Sequence, residues 1–299
     1  LLFGLFFGAG NLIFPVHMGQ MAGSSSPVAI LGFCITAVGL PLMAIAAMAI
    51  SRSESLAQLA GRVGKGYGLF FSCLLYLTIG PFFAIPRCAS TSFTVGVAPL
   101  VSEGQARLWL LLFSLAFFAL VLWFSLRPNG ILTYVGKVIN PVFLVFLFLL
   151  VIASLANPMA GLRELPPEGN YETQAFITGF LEGYNTMDIL AALAFGITIV
   201  QVIKDLGIEN AGDVAGNSFR AGIFSSLLMA VIYALITVMG AASRGVYPTS
   251  ENGGIALTQI AAHYFGAFGQ IILAATVTLA CLKTSIGLVT SCAETFCLL

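Results

Sequence analysis

Three short stretches place polar chemistry inside long apolar runs. The first, Phe6 to Pro15, reads FFGAGNLIFP and puts Gly8, Gly10, Asn11 and Pro15 where an unbroken helix has least use for them. The second, Gly179 to Gly196, reads GFLEGYNTMDILAALAFG and holds Glu182, Asn185, Thr186 and Asp188. The third, Leu279 to Glu294, reads LACLKTSIGLVTSCAE and sets Lys283 beside the hydroxyls of Thr284 and Ser285. These residue types suit binding rather than bond making. A broken helix frees N–H groups that take a carboxylate and carbonyls that take an ammonium group or Na⁺. An enzyme would need a nucleophile with a base, or metal ligands at helical spacing. Neither H-E-x-x-H nor G-x-S-x-G occurs, and the ATP-binding pattern G-x-x-x-x-G-K-[ST] is missing too. The chain reads as neither an enzyme nor an ATP-driven pump.

The elements that must hold these residues follow from composition. Hydrophobic residues make up 59% of the chain and charged residues 8%, with a mean hydropathy of +1.02. A soluble domain is roughly a quarter charged, so here lipid must cover most of the surface. Basic and acidic residues balance, which gives no ground for a nucleic-acid partner. The cysteines at 34, 73, 88, 281, 292 and 297 lie in apolar runs without C-x-x-C spacing. That pattern argues against a disulfide framework or a zinc site, so no cofactor is expected. The chain is apolar from Leu1, without a basic leader, and apolar again at Leu299. The expectation is a piece of a longer protein rather than a cleaved signal peptide.

A spanning helix needs about 20 apolar residues. Eight stretches qualify: 1–22, 28–50, 67–98, 107–126, 131–156, 174–203, 218–241 and 268–295. Loops after the even-numbered spans carry Arg52, Arg62, Lys65, Arg127, Lys137, Lys204 and Arg220. Loops after the odd-numbered spans carry only Arg107, Arg163 and Arg244. The positive-inside rule then starts the first helix on the cytoplasmic side. Residues 157–173 form an external linker, and 251–267 read as an amphipathic loop helix too short to span. A continuous helix over 174–203 would be about 45 Å long, against a hydrocarbon core of about 30 Å. Two half-helices fit better. Asn185 then caps the second half, with Asp188 at its third position. In the first span Asn11 caps likewise, and Pro15 falls in the first turn, where its missing N–H costs nothing. Two interrupted helices, five spans apart and oppositely oriented, point to an inverted repeat with a binding site at the midplane. Taken alone, Gly8 and Gly10 also suit a close-packed face and Asn11 an interhelical bond.

Four phrases, FGAGNLIFP, LTIGPFFAIPR (Leu77 to Arg87), EGYNTMDILAALAFG and LACLKTSIGLVTSCAE, occur in this order along the chain. Together they resemble the bacterial branched-chain amino acid:cation symporter family across essentially the whole length. The resemblance implies an all-α polytopic membrane protein of the bacterial cytoplasmic (inner) membrane. It implies a LeuT-type fold of five-plus-five inverted repeats with broken helices 1 and 6. Residues 1–156 would form the first repeat, 157–173 the linker and 174–299 an incomplete second repeat, about eight of twelve helices. The implied activity is uptake of leucine, isoleucine and valine coupled to Na⁺ or H⁺, by alternating access. An exchanger or exporter of the same fold remains an alternative; a channel lacks the expected pore-lining ring. By the same resemblance Gly8, Ala9, Gly10 and Asn11 face the substrate carboxylate. Glu182, Gly183, Tyr184, Asn185, Thr186 and Asp188 supply the opposite wall. Cys281, Thr284 and Ser285 match the small-x-x-Thr-Ser pattern of an Na⁺ site, completed by carbonyls near Gly4 and Phe7.

The remaining polar residues carry open alternatives. Lys283 can stand in for the coupling cation, pair with Asp188 or Glu182, or snorkel. Asp188 either complements a half-helix start or binds substrate ammonium or the ion. Glu182 is a gate residue or a partner for Arg87. Arg87 itself snorkels or makes a gate salt bridge. Tyr76 and Thr78 lie deeper, where a hydroxyl reaches a substrate carboxylate or merely packs. Ala191, Ala192 and Gly196 leave room for a branched side chain or pack helices. His17 and His263 have no partner at metal-ligand spacing.

Overall fold

The computed structural model describes residues 3–4, 7–8, 10–126, 140–196, 203, 207–208 and 210–298. All regular structure among them is helical. In chain order the helices are α1 (Gly10–Ala22), α2 (Ser26–Cys34), α3 (Leu40–Ser51), α4 (Leu56–Gly61), α5 (Lys65–Leu77) and α6 (Ala84–Gly96). They continue with α7 (Ala106–Ser125), α8 (Asn140–Ala156), α9 (Tyr171–Asn185), α10 (Asp188–Ala194), α11 (Ala211–Ser243) and α12 (Gly253–Leu298). One π-helical turn, Ile35–Gly39, joins α2 to α3. A second, Thr78–Phe82, carries Pro81 between α5 and α6.

Among the described residues, five helical stretches are long and apolar enough to cross a membrane: Gly10–Ser51, Lys65–Leu100, Ala106–Ser125, Gly212–Ser243 and Gly253–Cys297. The difference from the eight expected spans has local causes. Gly10–Ser51 contains two of them, turning at Gly23 with φ +48°. The fifth span is described only from Asn140, and the sixth is divided into helices of 15 and 7 residues. The amphipathic stretch 251–267 is helical but runs into the eighth span through a kink at Gly266, whose φ is +58°. Both positions take a positive φ, which glycine adopts without a Cβ clash.

The centre of the structure is α1. It packs on α11, α12 and α9, while α9 packs on α2 and α6 on α12. Two of these crossings are backbone to backbone in both directions. A Cβ at Gly19 of α1 would lie 2.0 Å from the Thr237 carbonyl of α11, and one at Gly240 would lie 2.2 Å from the Val16 carbonyl. The α2–α9 crossing repeats this reciprocity: Gly32 faces the Phe176 carbonyl at 2.1 Å and Gly179 the Ala29 carbonyl at 2.2 Å. Small residues let apolar helices approach where lipid supplies no hydrophobic drive. The periphery is different. On α7 only Phe117 and Val121 are buried, and Leu108, Leu111, Leu115 and Trp123 face outward. That is costly in water and free in hydrocarbon.

Near the end of α1 the linker is strapped down. The Arg244 guanidinium donates to the carbonyls of Pro166 (2.6 Å) and Gln20 (3.2 Å) and pairs with Glu168. Thr249 donates to the same carboxylate at 2.8 Å.

Candidate functional site

The first break lies at Phe7 and Gly8, which are non-helical, and α1 begins at Gly10. Asn11 is therefore inside the first turn rather than capping it, and Pro15 falls a turn later, within the helix. The reason is that the Asn11 side chain is engaged on both sides. Its Oδ1 accepts the Gly8 N–H at 2.8 Å, and its Nδ2 reaches Asp188 at 2.9 Å (Oδ1) and 2.7 Å (Oδ2). Ala9 lies outside the described residues.

The second break is Thr186–Met187. Asn185 ends α9, Met187 takes the cap position of α10 and Asp188 is its first residue. Asn185 is exposed and caps nothing by its side chain. Thr186 does that work: its hydroxyl donates to the Gly183 carbonyl at 2.8 Å and accepts the Asp188 N–H at 3.4 Å. Met187 sits at φ +64°. A left-handed conformation costs an ordinary residue about 1–2 kcal/mol, so the surroundings of the break must impose it.

Asp188 ties the two breaks together and is 2% exposed. Besides Asn11 it accepts the Tyr233 hydroxyl at 2.8 Å, and Tyr233 and Asn11 also meet directly. Phe7 stacks on the Tyr233 ring and Phe33 meets it edge-on. Sequence reasoning missed Tyr233, because one tyrosine in an apolar helix gives no signal above packing.

A partly open cavity of about 30 Å³ lies between the breaks, lined by Gly8, Gly10, Asn11, Arg87, Thr186, Asp188, Ala191, Phe195 and Thr284 among others. That volume holds about two waters. Its walls carry one cation and one anion, a charge pattern that suits a zwitterion. Arg87 does not pair with Glu182. Its Nη1 donates to the Asn185 carbonyl at 2.7 Å and its Nη2 to the Thr186 carbonyl at 3.0 Å, while its Cζ lies 5.4 Å from the centroid of Phe14. The C-terminal end of a half-helix exposes carbonyls with negative partial charge, which is where a guanidinium belongs.

Thr284 faces the first break, its hydroxyl 3.3 Å from where a Gly8 Cβ would be. Thr284 Oγ1 and Ser285 Oγ are buried without a hydrogen-bond partner. They lie at i+3 and i+4 from Cys281, one turn on, and hydroxyl oxygens are ligands that a hard cation accepts. No cluster of three or more His, Cys, Asp or Glu side chains occurs among the described residues, so a cation here would rest on hydroxyls and carbonyls. Gly4, Phe7 and Cys281 are buried nearby in sequence but do not line the cavity.

Other expected residues sit elsewhere. Tyr76 is fully buried and donates its hydroxyl to the Ala194 carbonyl at 2.9 Å, closing the end of α10 rather than lining the cavity. The Thr78 hydroxyl donates back to Leu74. Gly183 turns to the π-helical turn after α2, where a Cβ would lie 2.3 Å from Thr36 Oγ1. Tyr184 is exposed, and Glu182 is half-buried outside the cavity lining. Lys283 is also outside that lining and is 4% exposed, so its side chain does not snorkel to a lipid face.

The family model described as branched-chain amino acid transport protein matches residues 1–299. The chain is 50% identical over 297 residues to the branched-chain amino acid permease BrnQ of Lactobacillus delbrueckii subsp. lactis, covering 99% of this chain and 67% of that protein. It is 44% identical over 296 residues to BrnQ of Bacillus subtilis, with the same coverage of each. It is 38% identical over 294 residues to BrnQ of Escherichia coli, covering 98% of this chain and 66% of the relative. These relatives are permeases rather than enzymes. With two helix breaks joined around a buried polar cavity and this likeness along its whole length, the chain belongs to the branched-chain amino acid transport protein family.

Proposed function

We infer that the protein is a secondary transporter of the bacterial cytoplasmic membrane that takes up leucine, isoleucine and valine with Na⁺ or H⁺. The observation that carries this reading is the bond between the breaks. Asn11 of the first interrupted helix holds Asp188 of the second, and both line one cavity with Arg87 and Thr284. In that cavity the substrate carboxylate would meet the N–H groups at the start of α1. The ammonium would meet the carbonyls at the end of α9. Ala191 and Phe195 offer an apolar wall for a branched side chain. When bound, Na⁺ would supply a positive charge beside the first break. Thr284 and Ser285 would hold it, with carbonyls near Gly4 and Phe7.

The reciprocal glycine crossings support a five-plus-five inverted repeat. Exchanging the first span with the sixth and the second with the seventh carries the Gly19–Gly240 crossing onto the Gly179–Gly32 crossing, and carries the α6–α12 pairing onto itself. In this reading the start of helix 1 faces the cytoplasm, as the Lys/Arg bias requires.

The test is labelled leucine uptake by the full-length protein in liposomes under imposed Na⁺ or H⁺ gradients. Accumulation driven by Na⁺, with a weakened Na⁺ dependence in Ser285→Ala, supports the hydroxyl site. Accumulation driven by H⁺ alone, and lost in Lys283→Ala while exchange persists, makes the lysine the coupling group. Folded protein that accumulates leucine under neither gradient refutes uptake by symport.

A further inference from the structure

The cavity between the breaks, about 30 Å³, is too small for any amino acid, and Arg87 forms part of its wall. Arg87 reaches in from α6 and spends both terminal nitrogens on the carbonyls of Asn185 and Thr186, at 2.7 and 3.0 Å. Those are the carbonyls the proposed reading gives to the substrate ammonium. The guanidinium lies in van der Waals contact with the start of α1. A Cβ at position 10 would be 3.1 Å from Nη2, so a larger residue there would crowd the guanidinium. The side chain is only half-buried and rests on Phe14, so its outer flank is open. The hydrogen bonds of Asp188 come from Asn11 and Tyr233 rather than from Arg87.

We propose that Arg87 is a tethered cation occupying the ammonium subsite, and that an amino acid binds by displacing it. This rests on the transport reading above. The small cavity is then the resting state, and the site opens only to a ligand that brings its own positive charge to the two carbonyls. An aliphatic acid without an amino group leaves the carbonyls uncompensated and the gate shut. Arg87 would thus select for zwitterions over fatty acids of the same shape.

The experiment is equilibrium binding of leucine to the purified full-length protein, as wild type, Arg87→Ala and Arg87→Lys. A displaceable group lowers apparent affinity by the fraction of time it occupies the site, so Arg87→Ala should bind leucine about tenfold tighter. Added guanidinium ion, at concentrations too low to denature, should compete with leucine in that variant and return its affinity toward wild type. Arg87→Lys keeps a cation but cannot bridge two carbonyls with a planar fork, so it should fall between. 4-Methylpentanoate, which is leucine without its amino group, should compete in Arg87→Ala and not in wild type. Weaker leucine binding in Arg87→Ala that guanidinium restores would overturn the proposal and make Arg87 an anchor for the carboxylate. Unchanged affinity would overturn it as well. If Arg87→Ala does not fold, tighter binding in Arg87→Lys upholds the proposal and weaker or equal binding overturns it. Wild type that binds no leucine sinks the transport reading itself, whereas wild-type binding with the wrong sign in the variants sinks only the gate.

Discussion

Replacing Tyr233 by Phe removes one oxygen from the link between the two breaks and little else. The ring keeps its stacking on Phe7 at 6.2 Å and its edge contact with Phe33 at 5.1 Å. Asp188 Oδ2 loses the donor at 2.8 Å and keeps Asn11 at 2.7 Å. Interhelical hydrogen bonds in membrane proteins average about 0.6 kcal/mol, while bonds to charged groups are worth about 1.5–3 kcal/mol. With Asp188 2% exposed, no bulk water replaces the lost donor, so the upper range applies. A loss of about 1.5 kcal/mol, roughly tenfold in the equilibrium it biases, is expected. The assay is thermal unfolding of the full-length protein in detergent, paired with leucine uptake in liposomes. A double-mutant cycle with Asn11→Ala should give a coupling of about 1 kcal/mol, because both side chains serve one carboxylate. Tyr233→Phe that leaves both melting and uptake at wild-type values, or that adds to Asn11→Ala without coupling, refutes the link as a working part of the site.

Four further outcomes follow from packing and buried hydrogen bonds. Gly19→Ala or Gly179→Ala puts a methyl into a backbone carbonyl that no rotamer change can move, and should cost about 1–3 kcal/mol in thermal unfolding. Gly216→Ala, with open space around it, should instead stabilise α11 by up to about 1 kcal/mol. Tyr76→Phe should lower stability by about 1 kcal/mol through the bond to Ala194 and leave the KM for leucine unchanged; a raised KM would put the hydroxyl at the substrate. Arg244→Ala should cost no more than about 1–2 kcal/mol, because Glu168 is 41% exposed and screened although Arg244 itself is 12% exposed and bonds two carbonyls. It should nonetheless speed proteolysis of the linker 157–173, since Pro166 and Gln20 lose their shared donor.

Both helix breaks are legible in the sequence, since glycine, asparagine and proline inside an apolar run are local signals and each break is a local event. Their details are not. The sequence pattern makes Asn11 and Asn185 both caps, yet Asn11 lies in the helix, bonded to Gly8 and Asp188, and Asn185 gives Arg87 its carbonyl. Tyr76 looked like a hydroxyl at substrate depth and instead closes α10. Arg87 reads as a snorkelling charge or a gate salt bridge to Glu182, but its hydrogen-bond partners are backbone carbonyls, which no residue pattern announces.

The sequence by itself determined the solvent, the helical class, the positions of the breaks and the family. Composition and helix breakers act through the chain's own backbone and its transfer into lipid, so they need no partner to be read. Only the tertiary structure decided that Arg87 meets carbonyls 98 residues away and that Tyr233 joins Asn11 and Asp188. The physical reason lies in the lipid. A helix that is apolar all round carries no stripe to say which face turns inward. The rotation of each helix is therefore fixed by glycine contacts and buried polar bonds with its neighbours, and those exist only once the helices are packed.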